Sequence, residues 1–133
     1  MKSSKIRAII IDDELEGRYV LQSMLTRLTD VDVVAVAEDA ESGLELIVKL
    51  APDIIFLDIR MPRMSGLDLV KKLAEKQINT TIVFVTAYDK FGIQAIKLAA
   101  FDYLLKPINP DEIQRVIERF KLEKSWLTSG DLK

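Results

Sequence analysis

The 133-residue sequence predicts an α/β domain built on a doubly wound, five-stranded parallel sheet with five helices. Three observations lead there. Short, nearly continuous apolar runs recur along the chain, as in strands buried on both faces. Amphipathic stretches with apolar residues at helical spacing separate them. The two kinds of segment alternate, the pattern of repeated βα units with right-handed crossovers.

Five runs have the character of strands. Ile6 to Ile11 is apolar except for Arg7, and Val31 to Ala37 except for Asp32. Asp53 to Leu57 and Thr81 to Val85 are rich in β-branched and aromatic residues, and Phe101 to Leu105 is a weaker fifth run. The helices follow from spacing. Leu21, Met24, Leu25 and Leu28 form one stripe, and Ala40, Leu44, Ile47, Val48 and Ala51 a second. Gly66, Leu69, Val70 and Leu73 give the third; Ile93, Ile96, Ala99 and Ala100 a shorter fourth; Ile113, Val116, Ile117 and Phe120 the fifth. Asn109-Pro110 is a helix start, with Asn as cap and Pro at the first helical position. Residues 1–122 are expected to form one domain, and 123–133 a helix end or a linker to an output domain outside this sequence. Trp126 belongs to that tail.

Composition narrows the chemistry. The sequence has no cysteine and no histidine, which excludes a disulfide scaffold, a zinc site built on those residues, a thiol nucleophile and a Ser-His-Asp arrangement. Nineteen Lys and Arg against 21 Asp and Glu give a net charge of −2, and the basic residues are scattered. That balance argues against direct nucleic-acid binding by this chain. No stretch approaches the roughly 20 apolar residues of a membrane span, so a cytoplasmic protein with no membrane partner is expected.

In doubly wound sheets ligands bind beyond the C-terminal ends of the strands. The first predicted strand ends in Asp12-Asp13-Glu14, the third in Asp58, the fourth in Thr86-Ala87 and the fifth in Lys106-Pro107. Taken singly, each has an ordinary explanation as a helix cap or a solvated side chain. Together they gather carboxylates, a hydroxyl and an ammonium at one edge. Two carboxylates ~4 Å apart repel by about 4 kcal/mol at an effective dielectric near 20. One lysine does not offset several acids, and a divalent cation completes the balance. Oxygen donors select Mg²⁺ or Mn²⁺, which take one or two carboxylates and a substrate's phosphate oxygens.

The chain resembles the receiver domains of two-component response regulators over about Ile6 to Phe120. The resemblance rests on Ile9-Ile10-Ile11-Asp12-Asp13-Glu14, on Pro52-Asp53-Ile54-Ile55-Phe56-Leu57-Asp58-Ile59-Arg60-Met61-Pro62-Arg63-Met64-Ser65-Gly66, on Val85-Thr86-Ala87 and on Asp102-Tyr103-Leu104-Leu105-Lys106-Pro107. It implies the flavodoxin-like receiver fold and a signalling phosphoacceptor that catalyses only its own phosphorylation and dephosphorylation. By the same resemblance Asp58 accepts the phosphoryl group, and Asp12, Asp13, Asp58 and the backbone carbonyl of Arg60 hold Mg²⁺ (or Mn²⁺). Asp13 is then a direct ligand and Asp12 acts through water. Thr86 meets a phosphoryl oxygen, Lys106 pairs with the phosphoryl group or Asp58, and Lys106-Pro107 is a cis peptide. Thr86 and Tyr103 form the switch.

The resemblance further implies a histidine kinase or phosphotransfer protein as donor, and a phosphorylation-dependent homodimer through helix four, strand five and helix five. The stretch from Thr86 to Tyr103 looks most like receivers joined to LytTR-type DNA-binding domains. Arg60 and Tyr88, two residues past Asp58 and Thr86, are both large and are expected to crowd the attacking water and prolong the phosphorylated state. Three other readings fit these residues less well. A haloacid-dehalogenase-type phosphatase needs a second Asp where Arg60 stands. A flavodoxin-like mononucleotide binder needs a Ser-, Thr- and Gly-rich loop where Asp12-Asp13-Glu14 stands. A non-catalytic pseudo-receiver would lack the acceptor, the hydroxyl or the lysine, all of which are present.

Overall fold

In the computed structural model, residues 5–126 are described. Five strands alternate with five helices: β1 (Ile6–Ile11), α1 (Leu15–Thr26), β2 (Val31–Ala37), α2 (Ala40–Leu50), β3 (Ile54–Leu57), α3 (Gly66–Glu75), β4 (Thr81–Thr86), α4 (Gly92–Lys97), β5 (Asp102–Leu105) and α5 (Pro110–Glu123). A 3₁₀ turn, Asp89–Phe91, leads into α4. All strand pairs are parallel, in the order β2-β1-β3-β4-β5. The order reverses between β1 and β3, so the crevice at their C-terminal ends is the switch point of the sheet.

The period of two along the strands divides the core. Ile6, Ala8 and Ile10 of β1, Ile54 and Phe56 of β3, and Val83 and Val85 of β4 pack with Leu21 and Leu25 of α1 and Ile113, Val116, Ile117 and Phe120 of α5. Their neighbours Ile9, Ile11, Ile55, Leu57, Ile82 and Phe84 pack on the other face with Ile47 of α2 and Leu69, Val70 and Leu73 of α3. Every residue of β3 and β4 is buried, which is why those runs are apolar without alternation. The Val31–Ala37 run is different: β2 is an edge strand, its middle is half-buried and Asp32 is exposed.

Local chemistry sets the helix ends. Ser65 and Asp68 form a capping box on α3, and Asn109 and Glu112 another on α5 with Pro110 at its start. α2 begins with Asp39 accepting from the Ser42 N–H and ends at Ala51 in the left-handed conformation, φ 48°. Ala51 of the second stripe lies past the end of α2 and is exposed, and three further stripe assignments change. Val48 points to solvent, and Leu28 lies past the end of α1 although it still packs on that core. The fourth stripe is not a core face: Ile93 and Ile96 are 69% and 77% exposed, and α4 is anchored by Ala95. α4 has only six residues, less than two turns, and Ala99 has φ 60°; the Ile93-Ile96-Ala99-Ala100 spacing therefore runs past the helix it suggested. Past α5, Trp126 packs on Phe120 with ring centroids 5.7 Å apart. Residues 127–133 of the expected tail lie outside the described residues.

Candidate functional site

The strand ends place four of the expected side chains in one crevice. β1 delivers Asp12, 4% exposed, and β3 delivers Asp58, 7% exposed. Asp58 is fixed by its backbone: its N–H donates to the Ile11 carbonyl at 2.9 Å, and its Oδ1 accepts from the Ile59 N–H at 2.7 Å. Lys106, just past β5, reaches across with Nζ 2.7 Å from Asp12 Oδ2, 3.2 Å from Asp58 Oδ2 and 3.6 Å from Glu14 Oε1. The Lys106-Pro107 peptide is cis. Thr86 closes β4, is fully buried, and lies near enough to Asp58 to favour its charged form slightly. Its Oγ1 nevertheless makes no well-formed hydrogen bond among the described residues.

Two glycines let the backbone close around these groups. A Cβ on Gly66 would stand 2.2 Å from the Asp58 carbonyl oxygen, so α3 can start against β3 only with glycine there. A Cβ on Gly17 would stand 2.4 Å from Asp12 Oδ2 and 3.1 Å from Lys106 Nζ, so α1 passes close over the Asp12–Lys106 pair.

The electrostatics follow from burial. Burial raises the Asp58 pKa, the Lys106 charge opposes the rise, and the Asp12 charge adds to it; the net shift is upward. Burial would lower Lys106, but its hydrogen bond to Asp12 and the charges of Asp58 and Asp12 prevail and hold the ammonium above its usual value. Glu14 makes no side-chain cap on α1; instead its N–H donates to Asp12 Oδ1 at 2.9 Å. Helix capping therefore does not account for these acids.

Asp12, Glu14 and Asp58 bring one carboxylate oxygen each within 4.8 Å of one another, an arrangement able to hold a metal ion. Three hard oxygen donors offset by one nearby ammonium suit a divalent cation such as Mg²⁺. Asp13, expected as a direct ligand, is exposed and is not in that group, whereas Glu14 is. Adjacent acids diverge as the chain leaves β1 for α1, and the Asp12-Asp13-Glu14 triplet does not say which lies beside Asp12 and Asp58. Arg60 is exposed and its guanidinium lies over the Tyr88 ring, 4.8 Å from the centroid. Tyr103 is half-buried, tilted against Phe84 at 6.3 Å, and its hydroxyl donates to the Tyr88 carbonyl. Burial pushes its phenol pKa up.

Among the described residues no helix is long and apolar enough to cross a membrane. A family model for the response regulator receiver domain matches residues 8–118. An uncharacterised response regulatory protein of Vibrio vulnificus is 41% identical over 114 residues, covering 86% of this chain and 47% of its own length. The transcriptional regulatory protein BtsR of Escherichia coli is 40% identical over 120 residues, covering 90% and 50%. The chain thus spans about half the length of the curated relatives it matches. The signal receiver domain of the response regulator NarL from Mycobacterium tuberculosis superposes with a TM-score of 0.82 at 30% identity, covering 89% of this chain and 98% of that one. The response regulatory domain of mrkE from Klebsiella pneumoniae gives 0.81 at 27%, covering 88% and 96%. The family match runs from β1 into α5 and takes in every strand end at which the crevice is built; the chain belongs to the receiver domains of two-component response regulators.

Proposed function

We propose that Asp58 takes a phosphoryl group from the phosphohistidine of a histidine kinase or phosphotransfer protein, and that the resulting change in Thr86 and Tyr103 switches an output domain or partner. The observation that carries this reading is the Thr86 hydroxyl, fully buried beside Asp58 and lacking a well-formed hydrogen bond. An unsatisfied buried hydroxyl costs about 1–3 kcal/mol. A phosphoryl oxygen on Asp58 supplies the acceptor.

In the transfer, an Asp58 carboxylate oxygen attacks phosphorus in line, the P–N bond of the donor breaks, and the imidazole leaves with a proton. Asp12 and Asp58, with Asp13 or Glu14 and the Arg60 carbonyl, would hold Mg²⁺ or Mn²⁺, which when bound neutralises charge on the phosphoryl oxygens. Lys106 exchanges part of its pairing with Asp12 and Asp58 for the equatorial oxygens. Thr86 moves toward its new acceptor, and Tyr103, tied to the Tyr88 carbonyl, follows the loop after β4.

Incubation with Mg²⁺ and acetyl phosphate should add the mass of one phosphoryl group. No gain, or a gain that survives Asp58→Asn, overturns the proposal. Arg60 and Tyr88 beside the site support slow hydrolysis, and a labelled-phosphate chase should find the product persisting well beyond seconds. The exposed Ile93, Ile96 and Leu105 support a homodimer through α4, β5 and α5 in the phosphorylated state. The receiver, taken as residues 1–122, would serve in the cytoplasm as the input half of a regulator with a LytTR-type DNA-binding output domain.

A further inference from the structure

α5 starts past the C-terminal end of β5 and runs back to the edge of the sheet opposite Asp58. Its last turn closes in a Schellman motif: the Trp126 N–H donates to the Lys121 carbonyl at 2.8 Å, and the Ser125 N–H to the Leu122 carbonyl at 3.3 Å. Ser125 takes the left-handed conformation this needs, φ 51°, without being glycine. The helix therefore stops, and the chain turns back so that Trp126 rests on Phe120. Beside that turn lies a cavity of about 680 Å³ at the N-terminal ends of β3, β4 and β5. Asp53, Thr80, Phe101, Phe120, Lys124 and Trp126 are among the residues that line it. Phe101 meets Phe120 at 6.3 Å and Phe120 meets Trp126 at 5.7 Å, so three aromatic rings lie along it. Asn79 and Thr80 line it too, and their backbone N–H and C=O groups make no hydrogen bond among the described residues.

We propose that this cavity is the seat of residues 127–133, entered first by Leu127, and that the chain toward an output domain leaves the receiver from the edge opposite Asp58. The second clause rests on the reading of the chain as the input half of a regulator; the first does not. Covalent geometry carries the placement. The Leu127 Cα stands about 3.8 Å from that of Trp126, and Trp126 is itself a wall of the cavity. Seven residues reach at most roughly 25 Å, ample for a space of that volume. The chemistry of the segment matches the lining. Leu127 is apolar, as the aromatic side of the cavity requires. Thr128, Ser129 and Gly130 are small, so their backbone can approach the unpaired groups of Asn79 and Thr80 closely enough to pair with them. A terminal segment led into a cavity by a fixed turn is tied down rather than frayed. Ala99 and Phe101, also in the lining, belong to the connection between α4 and β5, so the seated segment touches the stretch that leads to Tyr103.

Paramagnetic broadening in the full 133-residue chain tests the seat. The sequence has no cysteine, so Ser129→Cys carries a nitroxide label at one known position. The amide signals of Asp53, Asn79 and Thr80 should be broadened several-fold more than those of Arg27, Leu28 and Asp30, which line a separate cavity beside α5. Stronger broadening at Arg27, Leu28 and Asp30, or equal weak broadening at both places, overturns the proposal. Adding Leu127→Ser to the labelled chain should reduce the broadening at Asn79 and Thr80 several-fold and move the emission of Trp126, the sole tryptophan, to longer wavelength. Unchanged broadening removes Leu127 from the seat and overturns its part of the proposal. Amide signals remote from both cavities report that each variant keeps the fold. Failure of the phosphoacceptor reading is separately visible, as absence of any phosphoryl mass gain in the wild-type chain, because the seat is read on unphosphorylated protein.

Discussion

Asp58 is held where its own charge is disfavoured, and this sets a pH dependence. Its folded pKa lies above the ordinary carboxylate value of 3.8 because burial and Asp12 outweigh Lys106. The folded state therefore keeps a proton that the unfolded chain has lost, and stability falls as pH rises from 3.8 through the folded pKa. Lys106 shifts the same way in pKa but acts oppositely: its contribution is complete below 10.5 and is lost only above its raised value. Asp58→Asn should thus raise the melting temperature at neutral pH, with the gain fading as pH falls toward 3.8. Each ~1 kcal/mol relieved is worth roughly 3–5 °C in a domain of this size. Thermal melts across pH check this; a lower melting temperature at pH 7, or a gain that grows on acidification, contradicts it. At this scale the sequence was legible where one residue ends one strand. Asp12, Asp58, Thr86 and Lys106 stand at the ends of β1, β3, β4 and β5, and the crevice follows from strand order. The sequence pointed to Asp13; that the oxygens of Glu14 gather with those of Asp12 and Asp58 was not legible, because it depends on how the chain turns between β1 and α1.

The helices divide by how they are held. α5 buries Ile113, Val116, Ile117 and Phe120 and carries a capping box, so its start is part of the cooperative fold. Asn109→Ala should cost about 1 kcal/mol in urea denaturation. α4 lacks a side-chain cap and buries Ala95 alone, so Ile96→Ser should leave stability within about 0.5 kcal/mol of wild type. The reverse ranking would show that α4 is packed as the spacing of Ile93 and Ile96 suggests. That spacing misleads for a physical reason. Periodicity reports an apolar face without naming what covers it: in α5 the cover is the sheet, whereas Ile93 and Ile96 of α4 are left exposed. The same limit applies to β2, whose apolar run does not distinguish an edge strand from a central one.

For the whole molecule, α4 and β5 put exposed Ile93, Ile96 and Leu105 on the side of the sheet to which Thr86 and Tyr103 lead. With Mg²⁺ and beryllofluoride as the phosphoryl mimic, sedimentation should show a dimer, and without them a monomer. Ile96→Ser should remain monomeric while still gaining the phosphoryl mass from acetyl phosphate. A dimer that persists in this variant moves the interface elsewhere.

The anchoring of α4 by a single alanine has a further consequence. Here the acidic crevice rests on the ends of β1, β3, β4 and β5, while Ile93 and Ile96 of α4 are exposed and outside the core. Substitutions at Ile93 and Ile96 should therefore change what this face binds while leaving phosphoryl uptake at Asp58 intact.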